Sequence, residues 1–356
     1  MSTLVYIGEQ IKELRKKANL SQDELSVNCN IDRAQISRIE SGEVLGVSLA
    51  TIEKILESLN YELTIKKLTK EDKEYEIHPV VKWAGGKTQI LNDLIKYFPC
   101  SFNTYYEPFF GGGALFFKIQ PKKFVINDLN TDLMSIYSCF LNDELYINLI
   151  KELKIHEKNH SEEYYYAIRD LDRNKDQYNL LPIYKKAART IYLNKACFNG
   201  LYRVNSKGFF NVPSGKKGKV KCFDKDNFKN IKEFFTKRKG NKITSLDFEK
   251  AVKNAKKGDF VYFDPPYDTL DNKKSFTAYS KDSFNKDEQA RLARIFKELD
   301  QKGVYVMLSN HNTVYIRELY EGYNFHIVLA SRMINSKGDG RGKVEEVIIT
   351  NYETKQ

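Results

Sequence analysis

The strongest chemical signal in the chain is Asp264-Pro265-Pro266-Tyr267, set directly after the apolar run Phe260-Val261-Tyr262-Phe263. A buried strand ending there brings a carboxylate, a carbonyl with no competing N–H beside it and an aromatic face to the carboxyl edge of a sheet, where open α/β sheets bind ligands. An exocyclic amine can donate one hydrogen to Asp264 and the other to the Pro265 carbonyl while Tyr267 stacks on its base. Asp264, Pro265, Pro266 and Tyr267 are the candidate catalytic residues. Upstream, Tyr105-Tyr106-Glu107-Pro108-Phe109-Phe110 leads into Gly111-Gly112-Gly113, between a strand end and a helix start. Glycines there let the backbone approach a ligand closely, and Asp128, an acidic residue about 20 positions on, can take ribose hydroxyls. Phe116 stands where the third glycine of a dinucleotide fingerprint belongs, and Glu107 would repel a pyrophosphate. A carboxylate at that place suits a cationic amino-acid group, so a sulfonium nucleoside such as S-adenosylmethionine fits the pattern better.

His156-Glu157-Lys158-Asn159-His160 satisfies H-E-x-x-H, the metalloprotease pattern of two histidines one helical turn apart. A zinc site needs a third protein ligand and an apolar helix around it. This segment is polar and stops at Asn159-His160-Ser161, so no metal is expected. Cys29, Cys100, Cys139, Cys197 and Cys222 lie far apart and are odd in number, which argues for reduced thiols and against a disulfide framework or a zinc ribbon.

Strands and helices must position these groups. From His78 onward, Phe124-Val125-Ile126, Phe260 to Phe263 and Val304-Tyr305-Val306-Met307-Leu308 are short apolar runs bounded by turn residues, as expected for buried parallel strands alternating with helices. Phe325 to Leu329 and Val344 to Tyr352, joined by a glycine-rich loop, read as a closing hairpin. The architecture is α/β. At 356 residues the chain is long enough for two or three domains. Hydrophobic residues at 41% and charged residues at 29% exclude disorder and a collagen-like chain. No apolar run approaches the roughly 20 residues of a membrane helix, and Met1 to Tyr6 lacks the features of a signal peptide, so the cytoplasm is expected and a membrane is not. The 58 Lys+Arg against 47 Asp+Glu leave a net charge of +11, which favours a polyanionic partner.

The N-terminal stretch reads as consecutive short helices. Ile7, Ile11, Leu14 and Ala18 fall at helical spacing. Ser21-Gln22-Asp23-Glu24 is a capping box that starts a second helix, and Asp32 with Gln35 repeats the pattern before Arg33 to Glu40, a third helix ended by Gly42. Leu49, Ile52, Ile55, Leu56 and Leu59 form a further amphipathic helix. Leu20-Ser21-Gln22-Asp23-Glu24-Leu25 and Ile36-Ser37-Arg38-Ile39-Glu40-Ser41-Gly42 resemble the Cro/repressor-like (XRE) helix-turn-helix family over about residues 4 to 65. That resemblance implies that Gln22, Arg33, Gln35 and Arg38 face DNA, with Gln22 and Ser37 positioned toward backbone or base edges. The alternative is a helical bundle used for dimerisation, its polar residues merely solvated. Residues 1–68 would form this domain. Leu68 to Ile77 is charged without periodicity, and 69–78 is taken as the linker.

Lys82-Trp83-Ala84-Gly85-Gly86-Lys87, Glu107 to Gly113, Asn127-Asp128, Phe198-Asn199-Gly200-Leu201-Tyr202-Arg203, Asn211-Val212-Pro213, Asp264 to Tyr267 and Leu308-Ser309-Asn310 follow one another in an order that resembles the Dam-type adenine-N6 DNA methyltransferases, from about Pro79 to Tyr352. The resemblance implies a Rossmann-like S-adenosylmethionine-dependent fold over 79–354 with a mainly helical target-recognition insertion at about 141–248. It implies a cofactor set of Trp83, Lys87, Glu107, Phe109, Gly111, Gly113, Asp128 and Asp264, with S-adenosylhomocysteine as product. On the DNA side it implies Arg203 as reader of guanine in GATC, Phe198 as an aromatic wedge, and Leu201 and Pro213 against the thymine methyl. Lys82, Asn199, Asn211 and Lys216 complete the DNA-binding set; Lys216 departs from the arginine that relatives carry after the matching glycine. The lysine-rich second half of the insertion, from Lys207 to Lys242, would pair with phosphates of double-stranded DNA. Such an enzyme would either protect DNA beside a restriction endonuclease acting on the same site without a stable complex, or act alone, with the N-terminal unit adding DNA affinity or repressing its own promoter. A regulator with a degenerate methyltransferase part is the competing reading, and the intact Asp128 and Asp264 to Tyr267 argue against it.

Overall fold

The computed structural model describes residues 3–42, 46–62, 75–83, 85, 87, 90–238, 240–269, 284–331 and 343–354. Most of the expected linker, Ala84 and Gly86 of the Lys82 to Lys87 motif, Lys239 and the glycine-rich loop of the closing hairpin lie outside these residues. The chain divides into two compact units, Met1–Thr69 and Lys70–Gln356. No described helix is long and apolar enough to cross a membrane.

The first unit holds α1 (Thr3–Lys17), α2 (Gln22–Cys29), α3 (Arg33–Glu40) and α4 (Leu49–Ser58). The Ser21 box forms as expected, with the Glu24 N–H donating to Ser21 Oγ and the Ser21 N–H to Glu24 Oε2 at 2.7 Å. The second cap is simpler than its sequence suggests: Asp32 accepts from the Ala34 N–H at 2.8 Å. Ile11, Leu25, Ile36, Ile39, Ile52 and Ile55 make a dry core. A Cβ at Gly8 would overlap the Ile39 carbonyl oxygen, so glycine is what lets α1 lie this close to α3.

The second unit begins with α5 (Leu91–Lys96), β1 (Tyr105–Glu107), α6 (Ala114–Ile119), β2 (Phe124–Asn127) and α7 (Thr131–Cys139). The connection from β2 to the next strand carries α8 (Asp143–Lys158), α9 (Glu162–Arg169), α10 (Lys175–Leu180), α11 (Ile183–Ala196) and α12 (Lys225–Thr236) before β3 (Lys242–Thr244). Then come α13 (Phe248–Val252), β4 (Phe260–Phe263), α14 (Lys286–Gln301), β5 (Tyr305–His311), α15 (Val314–Leu319), β6 (Asn324–Ser331) and β7 (Lys343–Thr350).

One seven-stranded sheet runs β3-β2-β1-β4-β5-β7-β6, parallel from β3 to β5, with β7 antiparallel to both β5 and β6. The closing hairpin therefore inserts its second strand into the sheet. Side chains alternate across it: Phe260 and Tyr262 join the core under α6, α7 and α12, while Val261 and Phe263 join Leu292, Phe296 and Leu299 of α14.

The long β2–β3 connection is helical in its first part and irregular from Cys197 to Asp224, where isolated bridges pair Cys197 with Ser214 and Val204 with Phe210. Its end returns to the sheet. Phe234 and Phe235 bury α12 against Phe116 and Phe124, Phe228 packs on Phe140, and β3 pairs with β2. The lysine-rich run is thereby divided. Lys232 pairs with Asp143 at 2.7 Å, Lys237 with Glu233 at 2.9 Å, and the Arg238 guanidinium is buried 4.0 Å from the Phe234 centroid. Those three serve packing, whereas Lys216, Lys217, Lys219 and Lys221 stand exposed on the irregular arm.

Candidate functional site

From β1 the chain crosses to β2 on one side, and from β4 to β5 on the other, so the sheet's topological switch point lies between β1 and β4. Glu107 ends β1 and Asp264 follows β4 at that crevice.

Glu107 is 3% exposed and accepts a hydrogen bond from the Tyr105 hydroxyl at 2.8 Å. Burial pushes its carboxyl well above the usual range, the phenol opposes, and Asp264 and Asp128 add to the rise. A buried carboxylate in that condition favours an incoming cation. Beside it, the Gly111 N–H donates to Asp128 Oδ2 and the Asn130 N–H to Asp128 Oδ1, both at 2.9 Å. Gly111 sits at φ +51°, and a Cβ there would lie 2.9 Å from Cδ1 of Trp83, which covers this turn. Phe109 packs among Phe248, Phe263 and Phe284. Gly113, at φ +70°, leads into α6 against Phe110. A carboxylate for an ammonium, a second one set beyond a glycine turn and an indole over that turn together fit S-adenosylmethionine.

Lys87 Nζ lies 2.9 Å from Asp264 Oδ1 and 4.4 Å from the Tyr267 ring centroid, and donates to the Gly85 carbonyl at 2.8 Å. Burial raises the Asp264 carboxyl and Lys87 opposes that rise. The Tyr267 hydroxyl donates to Glu346 Oε2 at 3.0 Å, and its ring meets His311 at 4.9 Å and 77°. Gln289 Nε2 donates to the Pro266 carbonyl at 2.9 Å and is itself held by Asn310. The Asp268 N–H donates to Asn310 Oδ1 at 2.9 Å, so the Pro-Pro-Tyr turn is tied on both sides.

A second group of candidates gathers on the irregular arm. Asn194, buried near the end of α11, accepts from the Lys82 N–H and donates to the carbonyls of Lys82 and Gly200. Gly200 is at φ +67°, and a Cβ there would lie 2.9 Å from Lys82 Cδ. Lys82 is thus brought to Phe198, which is 53% exposed, and to Asn199, exposed in the left-handed region at φ +54°. Arg203 Nε donates to Asn211 Oδ1 at 2.8 Å, and the Asn211 N–H to the Arg203 carbonyl at 3.0 Å. Leu201 is half-buried against the core, and Pro213, whose carbonyl accepts from the Phe198 N–H, is exposed. Lys216 is exposed at φ +51°.

In the first unit, Gln22 donates to Glu40 Oε2 at 2.9 Å, and Glu40 is buried against Arg15. Arg33 pairs with Asp23 at 3.1 Å, Arg38 and Ser37 are exposed, and Gln35 is half-buried. The H-E-x-x-H groups are engaged within the protein. His156 Nδ1 meets the Tyr164 hydroxyl, His160 meets the Tyr192 hydroxyl and the Lys217 carbonyl, and Glu157 accepts from the Cys222 and Phe223 N–H groups.

Glu346, Gln289 and Asn194 escaped the sequence reading, and Tyr202 stood there only as a member of the Phe198 to Arg203 motif, without a role. Glu346 could have been found by aligning the hairpin with β5, since register sets it opposite His311. Asn194 carried a signal too, as an amide on an otherwise apolar helix end.

A family profile described as D12 class N6 adenine-specific DNA methyltransferase matches residues 83–334, and a helix-turn-helix profile matches residues 11–66. The chain is 44% identical over 276 residues to the type II methyltransferase M1.LlaDCHI of Lactococcus lactis subsp. cremoris, covering 78% of this chain and 96% of that one. It is 43% identical over 293 residues to the type II methyltransferase M.MjaIII of Methanocaldococcus jannaschii, covering 78% and 100%. A DNA adenine methylase of Escherichia coli is 32% identical over 269 residues, covering 75% and 93%. Sheet topology, crevice and sequence likeness agree: the chain belongs to the D12 class of N6 adenine-specific DNA methyltransferases and carries a helix-turn-helix domain ahead of it.

Proposed function

We propose that the protein methylates the N6 amine of an adenine extruded from double-stranded GATC. The observation that carries this reading is the meeting of Asp264 and the Tyr267 face at the end of β4, in one compact unit with the arm that bears Phe198 and Arg203 and against which Lys82 packs. Glu107 would hold the methionine ammonium of S-adenosylmethionine, Asp128 its ribose hydroxyls, and Trp83, Phe109 and the Gly111 to Gly113 turn its remaining surface. When bound, that cofactor supplies a sulfonium methyl, which an amine can take directly without a covalent enzyme intermediate.

The adenine amine is a weak nucleophile because its lone pair is delocalised into the ring. Asp264 and the Pro265 carbonyl accept its two hydrogens and raise the electron density on nitrogen, while Tyr267 fixes the plane of the base. Asp264 then stands within reach of the proton that the methylated amine must lose. The Lys87 ammonium now occupies the same two partners, Asp264 and the Tyr267 face, and gives way when the base inserts. Phe198 fills the space left in the stack, since the target atom is out of reach inside the duplex and extrusion costs roughly a few kcal/mol. Arg203, oriented by Asn211, reads guanine.

Two relatives bear the name type II methyltransferase, which favours action beside a restriction endonuclease cutting the same site, in the cytoplasm. The N-terminal unit adds DNA affinity or represses its own promoter. The test is expression in a host lacking adenine methylation, followed by digestion of its DNA with GATC endonucleases that require, or are blocked by, the methyl group. Protection is expected with the native chain and none with Asp264→Ala. Unchanged digestion by both endonucleases with the native chain would sink the GATC assignment.

A further inference from the structure

Tyr202 belongs to the DNA-side arm by sequence, between Leu201 and Arg203, yet its ring faces the cofactor crevice. It stacks on Trp83 with centroids 4.6 Å apart and planes 28° from parallel. Trp83 in turn lies on the glycine turn, so close that a Cβ at Gly111 or Gly112 would come within 2.9 and 3.3 Å of it. On its other side the Tyr202 ring meets Phe210 at 5.6 Å and 61°. The Phe210 N–H is held by Asp172 Oδ2 at 2.8 Å, and Asp172 pairs with the buried Arg189. Burial pushes the Tyr202 hydroxyl up to about 12, with the Asp132 carboxylate adding to the rise and the Asn130 amide opposing it. One side chain therefore touches both the Arg203 arm, through Phe210, and the indole over the glycine turn.

We propose that Tyr202 is a positioning residue that couples target reading to cofactor binding. A duplex seated on the 198–213 arm fixes the Tyr202 ring, and the ring fixes Trp83 over the Gly111–Gly112 turn. The proposal rests on the roles given above to Arg203 and Trp83. By linkage, the nucleoside must tighten duplex binding by the same factor as the duplex tightens the nucleoside.

Trp83 is the sole tryptophan of the chain, so intrinsic emission reads this stack directly. S-adenosylhomocysteine is titrated into the full chain, alone and with an unmethylated GATC duplex, and duplex binding is followed separately by anisotropy of a labelled strand. In the native protein the duplex is expected to tighten S-adenosylhomocysteine binding roughly tenfold. Tyr202→Leu should reduce that factor to less than about twofold, whereas Tyr202→Phe, which keeps the stack, should preserve it. Equal coupling in Tyr202→Leu and native protein, or lost coupling in Tyr202→Phe, overturns the proposal. A second reading needs no variant: duplex binding should shield Trp83 from acrylamide, and unchanged quenching also overturns it. Native protein that fails to bind either ligand alone would overturn the proposed function as well.

Discussion

Glu107 is the residue at which electrostatics and function meet. Its carboxyl is raised well above the ordinary range by burial, so folding favours the protonated form. Stability linked to it is full below the ordinary carboxylate pKa and is lost as pH rises through the folded value. Glu107→Gln can still accept from Tyr105 and removes this dependence. The ligand-free variant is therefore expected to melt higher than the native chain at neutral pH, by about 2–4 °C for each kcal/mol recovered. The same change should weaken S-adenosylhomocysteine binding roughly tenfold or more, the size of one charge-assisted hydrogen bond. Identical melting curves across the acid-to-neutral range would count against the electrostatic account, and unchanged affinity against the ammonium role. Glu107 was legible in the sequence because it adjoins the glycines. The tie from Tyr267 to Glu346 was not, because it spans 79 positions and exists through strand register alone.

At the scale of elements, the lysine-rich run separates into two parts with different work. Lys216, Lys219 and Lys221 project from the irregular arm, whereas Lys232 is held by Asp143 on a helix whose phenylalanines cover the sheet. Each of the first three, changed to Ala, is expected to make the slope of log binding constant against log salt shallower by about 1. Lys232→Ala should leave the slope unchanged, and an equal change there would overturn the division. Phe234→Ala on the same helix is expected to cost about 3–5 kcal/mol in chemical denaturation, since its ring packs against Phe116 and Phe124; a loss under 1 kcal/mol would show that this helix does not anchor the sheet. Composition shows charge but cannot show this partition, because α12 presents lysine and phenylalanine in one segment. The three-residue strand β3 was also illegible, being too short for a period of 2 to register.

At the scale of the whole molecule, each unit owns a separate buried core, Ile11 to Leu59 in the first and two sheet-covering clusters in the second. Removal of residues 1–68 is thus expected to leave the turnover of methyl transfer within about twofold of the native chain, while DNA affinity falls and its salt slope becomes shallower as phosphate contacts are lost. Side-by-side kinetics and salt titrations check this. A collapse of turnover would mean that the methyltransferase unit needs the helical one.

What the sequence by itself determined was local chemistry: the capping box at Ser21, the glycine turn after Glu107, the Asp264 to Tyr267 turn and the alternation of strands with helices. Each is written in neighbouring residues, because backbone conformation and side-chain periodicity act over a few positions. Only the tertiary structure decided which distant groups meet. It set β7 between β5 and β6 and so delivered Glu346 to Tyr267. It clamped Lys82 to Gly200 through Asn194, and it turned Tyr202 away from its neighbours in sequence onto Trp83. Such contacts depend on sheet order and packing, which are properties of the folded chain as a whole and have no signature in any short stretch of it.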